Sequence, residues 1–230
     1  MINNIFLIFR SILFWINLVL SVLFFGPVAF TLGLFSYEYC LKISKTWCKC
    51  NLYFLKYFCS LSYKIRGSDL NSSQLIVSKH QSAWETIFLA AYVDKPIFIL
   101  KKELLMIPLF GWCLYLLKNI SINRSEGVRS LKKILDSCGG HIEKKRTLIV
   151  FPEGTRVPYG HKVHLKKGIF KIIDSLKISS LVFTHNAGKF WSKNSFIIRP
   201  GEVAIYCTSL DYNKDNQVLG KKIVECFEQS

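Results

Sequence analysis

The segment Ser78-Lys79-His80-Gln81-Ser82-Ala83-Trp84-Glu85 sets an imidazole five residues ahead of a carboxylate, just past the apolar run Leu75-Ile76-Val77. Near neutral pH an imidazole can take a proton from an attacking hydroxyl. A carboxylate behind it fixes the tautomer and steadies the imidazolium that forms. Five residues on a regular helix turn through about 140° net, which would point His80 and Glu85 apart. The pair can therefore meet only if His80 precedes the helix. The residues allow this: Leu75 to Ser78 reads as a short buried strand, and Ser82-Ala83-Trp84-Glu85 has the S-x-x-E form of a capping box. The same box offers a plainer alternative, in which Glu85 only caps the helix that Ser82 starts.

A second cluster follows the strand-like run Thr147-Leu148-Ile149-Val150-Phe151, which leads into Pro152-Glu153-Gly154-Thr155-Arg156. Open α/β sheets bind ligands at the carboxyl ends of their strands. Arg156 suits two parallel hydrogen bonds to a phosphate, Gly154 permits close backbone approach, and Glu153 could orient the arginine or a substrate hydroxyl. The same residues would also make an ordinary turn. Lys101 and Arg124 each follow a strand-like run and are candidate phosphate or oxyanion contacts, with a solvated charge as the alternative for each. His185-Asn186 is read as structural, walling the cleft. His161 and His164 stand in H-x-x-H spacing, but no Cys or carboxylate set completes a metal-ligand cluster.

The elements that would position these residues alternate in type. Strands are predicted over Leu61–Arg66, Leu75–Ser78, Ile97–Leu100, Asn119–Ile122, Thr147–Phe151, Leu181–Thr184, Phe196–Arg199 and Val203–Thr208. Helices are predicted over Ala83–Tyr92, Pro108–Leu117, Gly127–Cys138, Lys167–Ser175 and Gln217–Glu228. This alternation specifies an α/β fold with a largely parallel central sheet flanked by helices, over residues 61–230.

Residues 1–60 have a different texture. From Ser11 to Tyr37 there is no charged residue, and such a run would make roughly 40 Å of helix against a hydrocarbon core of about 30 Å. Gly26-Pro27 interrupts it, so the prediction is a two-helix membrane anchor, about Ile5–Phe25 and about Ala29–Phe58. In the second helix Lys42, Lys45, Lys49 and Lys56 alternate with apolar residues, as where a helix lies along headgroups, and these lysines place that end in the cytoplasm.

Half of the 230 residues are hydrophobic, and the formal net charge is +16, of which +4 lies in residues 1–60 and +12 in the rest. A phosphate-bearing or anionic-lipid partner fits this balance. The basic residues are scattered through apolar segments with no basic block, which argues against nucleic acid. The eight cysteines include no C-x-x-C pair and read as reduced thiols in a cytosolic setting.

Four ordered blocks together resemble the bacterial-type 1-acylglycerol-3-phosphate acyltransferases (lysophosphatidate acyltransferases) of the H-x4-D/E glycerolipid acyltransferases. These are His80 to Glu85, the K-x-E-L block from Lys101 with the following segment to Arg124, Phe151 to Arg156, and Val182 to Gly188. The family commonly has aspartate where Glu85 stands and often proline where Thr184 stands.

The resemblance implies acyl transfer from acyl-CoA or acyl-carrier protein to the sn-2 hydroxyl of lysophosphatidate, giving phosphatidate. His80 and Glu85 would be catalytic; Lys101, Arg124, Glu153, Gly154, Thr155 and Arg156 would bind substrate. The partners would be membrane lipids and the thioester donor, with no metal or other cofactor, at the bacterial inner membrane with the catalytic part on the cytosolic face. Backbone N–H groups near the start of the Ser82 helix or around Gly154, or Lys101, are the oxyanion-donor candidates. Rival readings are an acyltransferase with another acceptor (glycerol-3-phosphate, a lyso-ornithine lipid or a lipid-A precursor), a transacylase using phospholipid as donor, or a non-catalytic phospholipid-binding protein.

Overall fold

The computed structural model describes residues 4–228, apart from the Arg124 side chain. Seven strands form one sheet: β1 (Leu61–Gly67), β2 (Leu75–Ser78), β3 (Pro96–Lys101), β4 (Ile120–Ile122), β5 (Thr147–Val150), β6 (Ser180–His185) and β7 (Gly201–Leu210). Their spatial order is β1-β7-β6-β2-β5-β3-β4, and every neighbouring pair is parallel except β6 with β7. The central strands are buried on both faces, as their unbroken apolar sequences require.

Alternation along β2 sorts its side chains between two cores. Ile76 joins Ile149, Phe183, Trp84 and Phe88 on one face, while Leu75 and Val77 join Leu148, Val150, Ile134, Ile172 and Phe227 on the other. The first face is covered by α3 (Trp84–Tyr92) and α2 (Tyr37–Cys59). The second is covered by α5 (Gly127–Glu143), α6 (Gly168–Leu176) and α7 (Asn216–Glu228). Each of these three buries one apolar stripe; in α7 it is Leu219, Ile223 and Phe227, four residues apart.

The N-terminal helices differ from expectation in where they divide. α1 runs unbroken from Asn4 to Phe35, through Pro27, and the chain turns instead at Ser36, whose backbone is extended. A proline inside a helix removes one N–H and crowds the preceding turn. Here the packing outweighs that cost. Gly26 lies so close to Leu109 that a β-carbon on it would fall 2.9 Å from the Leu109 Cβ, and Ala29 packs with Cys40 and Cys113. These contacts pack the unbroken helix against α4 (Phe110–Leu116). The Gly26-Pro27 pair therefore marks a close helix contact rather than a break.

α1 is the one described helix long and apolar enough to cross a membrane. At 32 residues it spans about 48 Å. It exposes Ile5, Phe9, Ile16, Leu20, Phe24 and Phe35, among others, yet Phe14 and the α2 residues Leu52 and Leu55 belong to the same core as Phe88 and Phe183.

The predicted strand at Phe196–Arg199 does not form. Its backbone groups bond elsewhere: the Ile198 N–H donates to Ser11 Oγ at 2.9 Å, the Phe196 carbonyl accepts from Trp15 Nε1 at 2.9 Å, and the Arg199 N–H donates to the Phe190 carbonyl at 2.8 Å. The segment is a strap fastened to α1.

Candidate active site

β2, β5 and β6 are adjacent and parallel, so their carboxyl ends open on one edge of the sheet. From there the chain delivers His80, the Glu153–Arg156 turn and His185. His80 sits after β2 and before α3, the placement that lets it turn back on Glu85.

The two side chains meet: His80 Nδ1 lies 2.8 Å from Glu85 Oε1. Glu85 Oε1 also accepts the N–H of Gln81 and of Ser82, both at 2.9 Å, and Oε2 accepts from Ser82 at 3.0 Å. Capping and pairing, which the sequence set against each other, are done by one carboxylate. Glu85 is fully buried. Burial is the largest influence on its pKa and pushes it up, but His185, His80 and the Ser82 N–H together hold it below the ordinary carboxylate value. An ionised Glu85 accepting from Nδ1 leaves the lone pair on Nε2, the form of the ring that can take a proton. The ring is steadied by Phe151, stacked at 4.1 Å between centroids.

The Phe151–Arg156 block grips the main chain of His80 from both sides. Glu153 Oε1 accepts the His80 N–H at 2.9 Å, and the Val157 N–H donates to the His80 carbonyl at 2.8 Å. Arg156 is the residue before Val157, so its backbone lies next to this anchor point. Among the described residues no ion pair joins Glu153 to Arg156; the glutamate orients the base's backbone instead of the arginine. Glu153 is buried, its Oε2 has no partner among the described groups, and burial pushes its pKa up to about 7. Gly154 has φ +69°, the left-handed region that glycine enters without cost.

His185 supports the dyad from below. It is fully buried, with Nε2 donating to the Lys79 carbonyl at 3.0 Å and Nδ1 accepting the Ala187 N–H at 3.2 Å, which defines a neutral ring. Burial, its largest influence, lowers its pKa. The next residue, Asn186, accepts the Ala204 N–H on its Oδ1 at 3.0 Å, so both residues take the structural part expected of them.

Other expected contacts lie further out. Lys101 ends β3, two strands from β2, and its ammonium is exposed 3.5 Å from Glu103. Arg124 follows β4, at the sheet margin, and its side chain lies outside the described residues. Thr155 Oγ1 accepts from Lys193 Nζ at 3.4 Å.

Four of the backbone donors in the regions considered for an oxyanion are engaged: Gly154 N–H with the Phe151 carbonyl, Gln81 and Ser82 with Glu85, and Trp84 with Ser82 Oγ. Sequence reading missed Gln81, whose Oε1 accepts the Gly188 N–H at 3.2 Å and ties the His80 loop to the end of β6. It also missed Phe151 as the ring's stacking partner, Lys166 and Lys193. Only Phe151 carried a signal, as the last apolar residue before the turn.

A largely parallel sheet thus carries at its carboxyl edge a His–carboxylate pair of the kind that can activate a hydroxyl, beside an arginine-bearing turn. Comparison with known proteins gives the chain a family. The acyltransferase family model matches residues 62–184, more than half of the chain. A 1-acyl-sn-glycerol-3-phosphate acyltransferase of Pseudomonas aeruginosa is 31% identical over 201 residues, covering 85% of this chain and 78% of that protein. One of Helicobacter pylori is 34% identical over 146 residues, 59% of this chain and 61% of that protein. The fold matches the crystal structure of a 1-acyl-sn-glycerophosphate (LPA) acyltransferase from Thermotoga maritima with a TM-score of 0.78 at 21% identity, over 97% of this chain and 94% of that one. The chain belongs to the acyltransferase family, and it is an O-acyltransferase by that membership.

Proposed function

We propose that the enzyme is a 1-acyl-sn-glycerol-3-phosphate acyltransferase, which moves an acyl group from acyl-CoA or acyl-carrier protein to the sn-2 hydroxyl of lysophosphatidate and makes phosphatidate. The observation that carries this reading is the His80–Glu85 pair at 2.8 Å, held at the sheet edge by the turn that contains Arg156.

In the proposed reaction His80 Nε2 removes the proton of the sn-2 hydroxyl as its oxygen attacks the thioester carbonyl. Glu85 stabilises the imidazolium. Collapse of the tetrahedral intermediate expels the thiolate, which recovers the proton from Nε2. One ester forms and one thioester breaks with no change of oxidation state, so the step as written balances without a redox group. Arg156, with Lys101 and Arg124 toward the sheet margin, holds the glycerol phosphate, and that hold sets the hydroxyl beside His80. Glu153, Gly154 and Thr155 shape the turn around it.

Residues 1–60 serve as the membrane anchor and residues 61–230 as the catalytic domain. The exposed apolar residues of α1 support this division. So does the substrate, an embedded lipid meeting a thioester from water. The reading includes a bacterial inner membrane with the catalytic domain on its cytosolic face, where basic residues on anionic lipid contribute about 1 kcal/mol each when well placed.

An acyl-transfer assay with purified enzyme tests this by varying donor and acceptor in turn. Lysophosphatidate with acyl-CoA or acyl-carrier protein gives phosphatidate, and lysophospholipids without a terminal phosphate react far more slowly. Equal rates with glycerol-3-phosphate, a lyso-ornithine lipid or a lipid-A precursor would contradict the proposed acceptor.

A further inference from the structure

Two lysines distant in sequence close on the Glu153–Arg156 turn, and neither is used by the chemistry above. The Lys166 N–H donates to the Pro152 carbonyl at 2.9 Å, while its own carbonyl accepts the Ile169 N–H at 3.1 Å as α6 begins. Its backbone is thereby fixed at the foot of the turn, and its stem is laid over Gly154. A β-carbon on Gly154 would stand 2.8 Å from Lys166 Cε and 3.2 Å from Nζ. The glycine is thus required twice, for its positive φ and to leave room for the ammonium. On the other side Lys193, from the loop between β6 and β7, donates to Thr155 Oγ1 at 3.4 Å.

Among the described residues no carboxylate pairs with Lys166, Lys193 or Arg156. The turn's own acid, Glu153, is buried and faces the His80 backbone. Two lysine ammonium groups from distant segments therefore reach a turn that itself carries Arg156, and among the described residues no carboxylate is paired with any of the three. Like charges gathered at one place repel, and an arrangement that holds them there favours a bound anion.

We propose that Lys166 and Lys193 complete, with Arg156, a cationic seat for a phosphate group carried by one of the two substrates. The proposal deepens the acyltransferase reading and rests on it for the choice of substrates. A lysine presents a point charge with three rotatable donors, so two of them flanking an arginine fork can follow a phosphate as it enters. The phosphate monoester of the lipid acceptor and the phosphates of the pantetheine-bearing donor share this chemistry.

The test uses the full-length enzyme carrying K166M and K193M together, with K166R and K193R as the charge-keeping control. KM is measured for lysophosphatidate and for acyl-CoA separately, and the melting temperature is measured with and without inorganic phosphate. The expected result is about a tenfold rise in one KM, the size of one charge-assisted hydrogen bond. We expect kcat within about twofold and recovery in the arginine pair. A rise confined to lysophosphatidate assigns the seat to the acceptor; one confined to acyl-CoA assigns it to the donor. Phosphate should raise the melting temperature of the wild type and not of the methionine pair.

Unchanged KM values with equal phosphate stabilisation of the two proteins would overturn the proposal, as would a fall in kcat alone. An inactive wild type would instead remove the acyltransferase reading, and the phosphate-dependent melting would then decide the seat by itself.

Discussion

Glu153 Oε1 accepts the backbone N–H of His80 at 2.9 Å, so a carboxylate in one motif fixes the main chain of the base in another. Because burial pushes the Glu153 pKa up to about 7, above its ordinary 4.5, the folded protein holds a proton there that the unfolded chain gives up. A carboxyl group raised in this way costs nothing below pH 4.5. Its burial lowers stability progressively as pH rises toward 7, by about 3 kcal/mol at most. The variant E153Q keeps the shape and removes this titration. Melting temperatures at pH 5 and pH 8 should therefore differ less in E153Q than in the wild type. An identical difference in the two proteins would show that Glu153 is not the group responsible.

Glu85 has the opposite sign. Its folded pKa lies below the ordinary value, so the stability it gives is present above that value and is lost as pH falls through the folded one. E85Q separates charge from capping. The amide oxygen in the Oε1 position can still accept from Nδ1 and from the Gln81 and Ser82 N–H groups, which keeps the cap and the tautomer, but the negative charge that steadies the imidazolium is gone. The turnover number should fall by about 10² to 10⁴. Near-normal turnover would mean that the carboxylate's charge does not steady the imidazolium. E85A should in addition lose about 1 to 3 kcal/mol of stability, because buried N–H groups are left without an acceptor.

Gly154 stands at φ +69° beneath the Lys166 stem. G154A would place its methyl group 2.8 Å from Lys166 Cε and hold alanine in the left-handed region, at about 1 to 3 kcal/mol. Denaturant unfolding should show this loss, and activity should fall with it as the turn and lysine shift. A neutral substitution would show that the turn is not constrained as described.

Ser11 links α1 to the strap at 196–199, accepting the Ile198 N–H on Oγ at 2.9 Å while donating to the Leu7 carbonyl at 2.8 Å. S11A leaves a buried N–H unsatisfied, and stability should drop by about 1 to 3 kcal/mol. Thermal melting in detergent checks this; an unchanged midpoint would indicate that α1 is not fastened there.

The strands were legible where burial on both faces forces an unbroken apolar run, as in Leu75-Ile76-Val77 and Thr147-Leu148-Ile149-Val150. The dyad was legible because a strand and a short loop put His80 ahead of the helix that S-x-x-E opens, although S-x-x-E alone read equally as a plain cap. What failed was local signal overruled by packing. Pro27 looked like a break because nothing in the sequence shows Leu109 pressed on Gly26. Phe196 to Arg199 looked like a strand because its length and side chains suit one, yet its hydrogen-bond partners are on α1 and at Phe190. Lys166 and Lys193 were invisible for a related reason. Each reaches the Gly154 turn across sequence separations that no spacing rule covers.

The most direct test of the central claim is the single-turnover rate of acyl transfer to lysophosphatidate by H80A, with circular dichroism to confirm the fold. Loss of the general base should slow the step by about 10² to 10⁴ while leaving the spectrum unchanged. A folded H80A that transfers the acyl group at the wild-type rate would contradict the account.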